Sequence, residues 1–318
     1  MVQIGYALSS EEHTPQDLVR NAQAAEASGF AFALISDHFH PWLDEQGQSP
    51  FVWSVIGGIA QVTKTLKLGT GVVCPMIRIH PAIIAQAAAT ATAMMPGRFF
   101  LGLGTGENLN EHILGDHFPE YEIRSLMFRE AIEVIRLLWE GGMQSYYGDF
   151  YTVENARIYT LPDELPPIAI AASGPSSAEL AGEIGDALIS TAPKAELIQT
   201  FEENGNHRPK YGKLTVCWAK DDAEARATAF KYWRNTAIPG ELGQVLATPQ
   251  HFEQAARMLT EEDVAEKLVC SSDAETHQQA LQEFIDAGFD HVYVHQIGQD
   301  QQGFIDFYRD RVMPAFSQ

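Results

Sequence analysis

Eight short apolar segments recur along almost the whole chain, and they restrict its fold more than any other feature. They are Ile4–Leu8, Phe32–Asp37, Leu66–Val73, Arg98–Gly104, Ile168–Ala172, Ala187–Thr191, Leu214–Ala219 and His291–Gln296. Short, continuous apolar runs suit strands buried on both faces, which is the situation of parallel sheets. Helical patterns such as Pro15–Ser28 and Ser125–Glu140 lie between them. Pro15 and Pro81 suit first helical turns, where a missing N–H costs nothing. Strand and helix alternating in this way predict an α/β chain closed into a single (β/α)8 barrel rather than an open doubly wound sheet. Two stretches interrupt the plan. Residues 143–160, with Tyr146, Tyr147, Phe150 and Tyr151, read as a polar β excursion. Residues 236–290 are too long for one crossover and are expected to hold two or three helices. No linker rich in Pro, Gly or Ser divides the chain, so residues 1–318 read as one barrel domain with insertions, a length such barrels reach.

The charge narrows the partners. The chain carries a net charge of -21, with a pI near 4.8. A nucleic-acid backbone would be repelled, and anionic lipid gains nothing from such a surface. No apolar run reaches the roughly 18 residues of a membrane span. The start MVQIGYALSS has no basic n-region, so no signal peptide is expected. Three cysteines, Cys74, Cys217 and Cys270, are spread apart with no C-x-x-C, which fits reduced thiols in the cytoplasm. The expected partner is a small-molecule substrate. Segments 51–63 and 81–95 are apolar almost all round. They are expected in a homodimer interface, or else beneath the helices of 236–290.

Barrel catalysis takes place in the loops after the C-terminal strand ends, and four such loops carry chemistry here. The first, Ser36-Asp37-His38-Phe39-His40-Pro41-Trp42, sets a carboxylate and two imidazoles beside an indole. Proton-handling groups beside a flat aromatic surface suit hydride chemistry on a planar cofactor. His38 and His40 also have the spacing of a metal-binding pair, but later strand ends offer Ser173 and Thr191, poor ligands for zinc-like ions, so no metal is expected. The second loop, Gly102 to Glu111, departs from a dinucleotide fingerprint because Glu107 stands where the third glycine belongs. Glu107 and Asn110 are placed to face the barrel mouth; the alternative for Glu107 is a helix cap. The third, Ser173-Gly174-Pro175-Ser176-Ser177, opens a helix and suits a phosphate, or is an ordinary serine cap. The fourth, Gly69 to Pro75, has glycines within a strand, a mark of a bulge or close backbone approach.

Together these loops make the chain resemble the bacterial luciferase-like superfamily. Within it, the chain is similar to the deazaflavin-dependent oxidoreductases related to the F420-dependent glucose-6-phosphate dehydrogenase. SDHFHPW (36–42), LGTGVVCP (68–75), PGRFFLGLGTGENLNEHILG (96–115) and IAASGPSSAELAG (170–182) follow the family's order and spacing. The resemblance implies coenzyme F420 as cofactor and hydride transfer to or from a small alcohol or carbonyl, sugar-phosphate-like substrates included. The alternative on the same barrel is an FMN-dependent monooxygenase. By the same resemblance His38, Glu107 and Trp42 are catalytic, and Trp42 also shapes the substrate pocket. Asp37, Gly71, Val72, Cys74, Asn110, Ser173, Gly174, Ser176 and Ser177 would hold the cofactor. Gly71-Val72 would form a bulge, often with a cis bond, and Cys74 replaces a contact threonine. Thr191, Lys194 and Lys267 would bind substrate. Gly243 falls where a third cation would complete a sugar-phosphate clamp, so that clamp is incomplete.

Overall fold

The computed structural model describes residues 2–204 and 208–316. Eight parallel strands close into a barrel: β1 (Gln3–Leu8), β2 (Phe32–Ile35), β3 (Lys67–Thr70), β4 (Phe99–Leu103), β7 (Ile168–Ala171), β8 (Ala187–Ser190), β9 (Lys210–Cys217) and β11 (His291–Gln296). Pairing of β9 with both β8 and β11 completes the ring. The expected excursion is an antiparallel hairpin of β5 (Gln144–Tyr147) and β6 (Thr152–Ala156). A short strand, β10 (Val269–Cys270), extends the sheet beside the top of β9. The helices that matter below are α1 (Pro15–Ala27), α2 (Val52–Val62), α3 (Pro81–Met94), α4 (Asn108–Glu111), α5 (Tyr121–Trp139) and α6 (Pro175–Ile184).

Several boundaries differ from the expected ones, each for a local reason. β2 ends at Ile35, so Ser36 and Asp37 already belong to the loop. β3 ends at Thr70, the Gly71–Val72 peptide bond that follows is cis, and Val73 regains one bridge to Leu103. β9 starts at Lys210 rather than Leu214. Two lysines disguised its first half. Lys210 is neutralised by Glu202 at 2.6 Å and Asp290 at 3.7 Å, and Lys213 turns into the barrel. Residues 236–290 hold four short α-helices, 242–245, 249–255, 261–265 and 274–286, together with β10, where two or three helices were expected.

The interior and exterior of the barrel are separate cores. Inside, Phe32, Leu34, Phe100, Ile189, Tyr211 and Tyr293 form one buried cluster with Ala7, Ala169 and Ala187. Phe100 stacks on Tyr211 at 4.9 Å. Gly69 makes room for it, since a Cβ there would lie 2.2 Å from the Phe100 ring. Outside, the opposite faces of the strands, such as Tyr6 and Leu8, pack with Leu18, Ala22 and Ala25 of α1. α2 and α3 bury one side only. Phe51 and Ile83 remain 54% and 55% exposed. They flank a groove of about 270 Å³ that also takes in Trp53, Ile56, Ile79 and Met94. The helices of 236–290 leave this groove uncovered.

Close strand approach sets the first test. A Cβ on Gly102 would lie 1.9 Å from the Thr70 carbonyl oxygen, whereas one on Gly243 meets nothing within 4 Å. Gly102→Ala is expected to destabilise the protein by more than about 2 kcal/mol, since backbone must move. Gly243→Ala should change stability by less than about 0.5 kcal/mol. Parallel denaturant melts check both.

Candidate active site

The C-terminal ends of the barrel strands surround a cavity of about 720 Å³. Glu11 enters from the loop after β1, Ser36, His38 and Trp42 from that after β2, and Gly71 and Val72 from β3. Gly104, Gly106 and Glu107 follow β4, Ser173 and Ser177 follow β7, and Ser190 and Thr191 end β8. Lys213 and Thr215 face in from β9, and Lys267 with Glu266 reaches the rim from the long segment before β11.

His38 is held from both ring nitrogens. Its Nδ1 lies 3.1 Å from the His40 carbonyl oxygen and 3.1 Å from Asn110 Nδ2. The Asn110 amide is oriented because its Oδ1 accepts from the backbone N–H groups of Phe39 and His40, at 2.8 and 3.3 Å. Nδ1 therefore has a donor partner and an acceptor partner. His38 Nε2 lies 3.3 Å from Glu11 Oε1. The other Glu11 oxygen accepts from Ser36 at 2.6 Å and Ser9 at 3.0 Å. Burial works against ionised Glu11, but His38, Lys213 and the Ser36 hydroxyl outweigh it and bring its pKa down to about 2. An imidazolium at His38 would thus give both its protons to acceptors, Nδ1–H to His40 and Nε2–H to Glu11. Trp42 leans against the ring with centroids 5.0 Å apart, and Phe252 meets the indole edge-on at 5.1 Å.

Behind this wall lies a second electrostatic unit. Arg78 Nη2 donates to Asp37 Oδ2 at 2.7 Å, while its backbone N–H donates to Glu111 Oε2 at 2.9 Å. Its Nε is 3.7 Å from Glu111 Oε1. Burial raises the pKa of both Asp37 and Glu111, with Arg78 pulling each back. Asp37 Oδ1 is buried and has no hydrogen-bond partner. Cys74 packs beneath Gly106, where a Cβ would lie 2.7 Å from its sulfur. The β4 loop thereby rests on the β3 loop.

The residues singled out from sequence divide into three groups. His38, Trp42, Gly71, Val72, Glu107, Ser173, Ser177, Thr191 and Lys267 line the cavity. Asp37, Cys74 and Asn110 are buried behind its wall. Gly174, Ser176 and Lys194 lie outside that lining, with Ser176 and Lys194 exposed. Glu107 occupies the N-cap position of α4, but its side chain makes no capping bond, which leaves the carboxyl group to the cavity. Ser177 does cap: its hydroxyl accepts from the N–H groups of Ser173 and Gly174 and donates to the Gly174 carbonyl. Three functional-site residues escaped the sequence reading, namely Glu11, Arg78 and Lys213. Glu11 had a usable signal, since Ser9-Ser10-Glu11-Glu12-His13 is a polar cluster at a strand end. Among the described residues no group of three or more His, Cys, Asp or Glu side chains could hold a metal ion.

A planar, polar cofactor with a phosphate tail fits this cavity. Along its wall Gly71 and Gly104 carry no side chain and Val72 presents its isopropyl group, which a Cβ on Gly104 would approach within 2.7 Å. Ser190 lines the cavity with a hydroxyl that has no partner. The N-terminus of α6, with its backbone amides, opens near Ser173, where an anion is favoured.

The family model described as "Luciferase-like monooxygenase" matches residues 1–291. The chain belongs to the luciferase-like family. An F420-dependent glucose-6-phosphate dehydrogenase of Mycobacterium avium (strain 104) is 34% identical, covering 98% of this chain and 97% of that protein. An F420-dependent hydroxymycolic acid dehydrogenase of Mycobacterium tuberculosis is 39% identical, covering 98% of this chain and 87% of that protein. A solved structure, an F420-dependent secondary alcohol dehydrogenase in complex with an F420-acetone adduct, superposes with a TM-score of 0.91. It is 30% identical and covers 100% of this chain and 99% of that one.

Glu11 sets a pH test. Its carboxyl binds protons less readily folded, with a pKa of about 2, than at the ordinary value of 4.5. The unfolded chain therefore takes up more protons between those values, so this contribution is present above about pH 4.5 and fades as pH falls toward 2. The stability gap between wild type and Glu11→Gln should accordingly narrow over that window, as followed by urea melts at stepped pH. A gap that widens on acidification would remove the ionised Glu11 from this network.

Proposed function

We propose that the protein is an F420-dependent oxidoreductase that moves a hydride between the deazaflavin coenzyme and a small alcohol or carbonyl. The observation that carries this reading is His38 at the cavity wall with Nε2 directed at ionised Glu11. The reading is supported by a chain-long likeness to F420-dependent relatives.

When bound, F420 supplies a two-electron hydride acceptor or donor, and the protein manages position and protons. In the oxidative direction His38 accepts the substrate hydroxyl proton at Nε2, the substrate oxygen taking the place beside that nitrogen that Glu11 Oε1 holds in the free protein. The Nδ1–H tautomer that this requires donates to the His40 carbonyl. Glu11, beside the ring, stabilises the charged imidazole through its negative charge. Glu107 holds the second proton position on the β4 side. Trp42 and Phe252 close the substrate end against water. Gly71 and Val72 offer the flat wall for the ring, Asp37, Asn110 and Cys74 support that wall from behind, and Ser173, Gly174, Ser176 and Ser177 form the anion site at α6. Thr191 and Lys267 mark the substrate entrance.

Lys194 is exposed off the cavity and Gly243 supplies no cation, so a sugar-phosphate dianion is a poor match. Residues 1–318 act as one catalytic unit. The groove between α2 and α3 is the proposed homodimer face, its support being the exposed Phe51, Ile83 and Met94 around it. A reducing, cytoplasmic setting is consistent with three free cysteines. No helix among the described residues is long and apolar enough to cross a membrane.

Fluorescence titration should give micromolar or tighter F420 binding, about -8 kcal/mol, and FMN at least about tenfold weaker. FMN binding as tight as F420 would favour the monooxygenase alternative. His38→Ala and Glu107→Gln should each lower turnover about 10²–10⁴-fold, the range for lost acid–base help, while F420 affinity changes little. Glucose 6-phosphate should be turned over poorly. Light scattering should give twice the 35.1 kDa chain mass, and Ile83→Glu should shift the protein toward monomer.

A further inference from the structure

One charge inside the barrel, Lys213, acts on Glu11 only from a distance and has no carboxylate of its own. On β9 the inward positions are Tyr211, Lys213 and Thr215, two residues apart, as the pleat requires. Tyr211 belongs to the interior cluster, and Lys213 and Thr215 line the cavity. Lys213 sits beside Tyr293 of β11 in the ladder, and its amine lies 5.7 Å from the centre of the Trp233 ring. It makes no hydrogen bond or ion pair to any described residue. Of the acids that act on it, Glu11 and Glu12 are already engaged, and Glu107 makes no bond to it. Glu11 serves His38, Ser9 and Ser36. Glu12 accepts from Gly298 N–H at 3.0 Å and pairs with His295 Nε2 at 3.0 Å. Burial lowers the Lys213 pKa, with Glu11, Glu12 and Glu107 opposing from a distance. Lys213 is half-buried at the cavity wall, and an ammonium there with no carboxylate at hydrogen-bond distance gains from an anion that joins it.

We propose that Lys213 binds a carboxylate on the substrate, which makes the substrate class a small hydroxy acid or its keto counterpart. The hydroxy or keto part rests on the oxidoreductase reading; the carboxylate part rests on Lys213 itself. The anion must arrive through the cavity, because that is where Lys213 opens. It does not belong to the coenzyme's phosphate, whose candidate site is the α6 N-terminus after β7. Nor does it belong with the ring, whose wall is β3, the strand facing β9 across the barrel. A monoanion suits the site better than a phosphate dianion, because one amine shares the cavity with Glu11 and Glu107.

The test titrates the full-length protein calorimetrically, with and without F420, using 3-hydroxybutyrate and its neutral amide. The wild type should bind the carboxylate at least about tenfold more tightly than the amide, the size of one charge-assisted bond. Lys213→Met should erase that difference, and Lys213→Arg should keep most of it. F420 affinity, read by fluorescence quenching, should be unchanged in both variants. Equal binding of the two compounds by wild type, binding of neither, or an undiminished preference in folded Lys213→Met would overturn the proposal. Failure of F420 to bind, with the Lys213-dependent preference intact, counts against the coenzyme reading and upholds the carboxylate site. Should the methionine variant not fold, the arginine variant decides: loss of preference in a folded Lys213→Arg protein counts against the proposal.

Discussion

The Arg78 guanidinium joins loops that would otherwise repel one another. Asp37 follows β2 and Glu111 ends the short helix after β4, and both are buried acids. Arg78, from the β3 loop and itself 7% exposed at the side chain, lies between them. Without it, two carboxylates would share a dry space, and breaking a buried pair of this kind costs about 3–5 kcal/mol. With it, three adjacent strand ends are fixed relative to one another. Those ends carry His38, the Gly71–Val72 backbone and Glu107, so the spacing of the whole candidate site depends on one cation.

A division of labour follows. Behind the wall, burial and the Arg78 pairs fix geometry and keep Asp37 and Glu111 out of the cavity. At the wall, Asn110 orients His38 through a side chain that is itself pinned by two backbone donors. Inside, Glu11 is the ionised partner, held so by His38, Lys213 and two serines. The cavity wall therefore sets the His38 imidazole beside a fixed negative charge. The barrel supplies rigidity for this by filling its lower interior with Phe32, Phe100, Tyr211 and Tyr293 rather than leaving a channel.

The architecture was legible because its determinants are local and periodic. Each buried strand announces itself through a few apolar residues in a row, and helices between them through amphipathic spacing. Where the reading slipped, a charged residue had masked a strand, as with Lys210 and Lys213 on β9. The long segment 236–290 broke into more pieces than expected because its short helices are set by packing over the cavity, not by their own periodicity.

The site was legible in part. Motifs at strand ends marked His38, Trp42, Glu107 and Ser173, since a short run of polar residues after an apolar strand is visible in one dimension. The sequence by itself thus determined a closed barrel, the face that carries chemistry and several of the groups on it. Tertiary structure alone decided how those groups are paired. Glu11 meets His38, Arg78 meets Asp37 and Glu111, and Lys213 faces the cavity because barrel closure brings together loops far apart in the chain. Such pairings leave no local trace: an isolated Glu, Arg or Lys between apolar neighbours looks the same whether it faces water or a partner across the barrel.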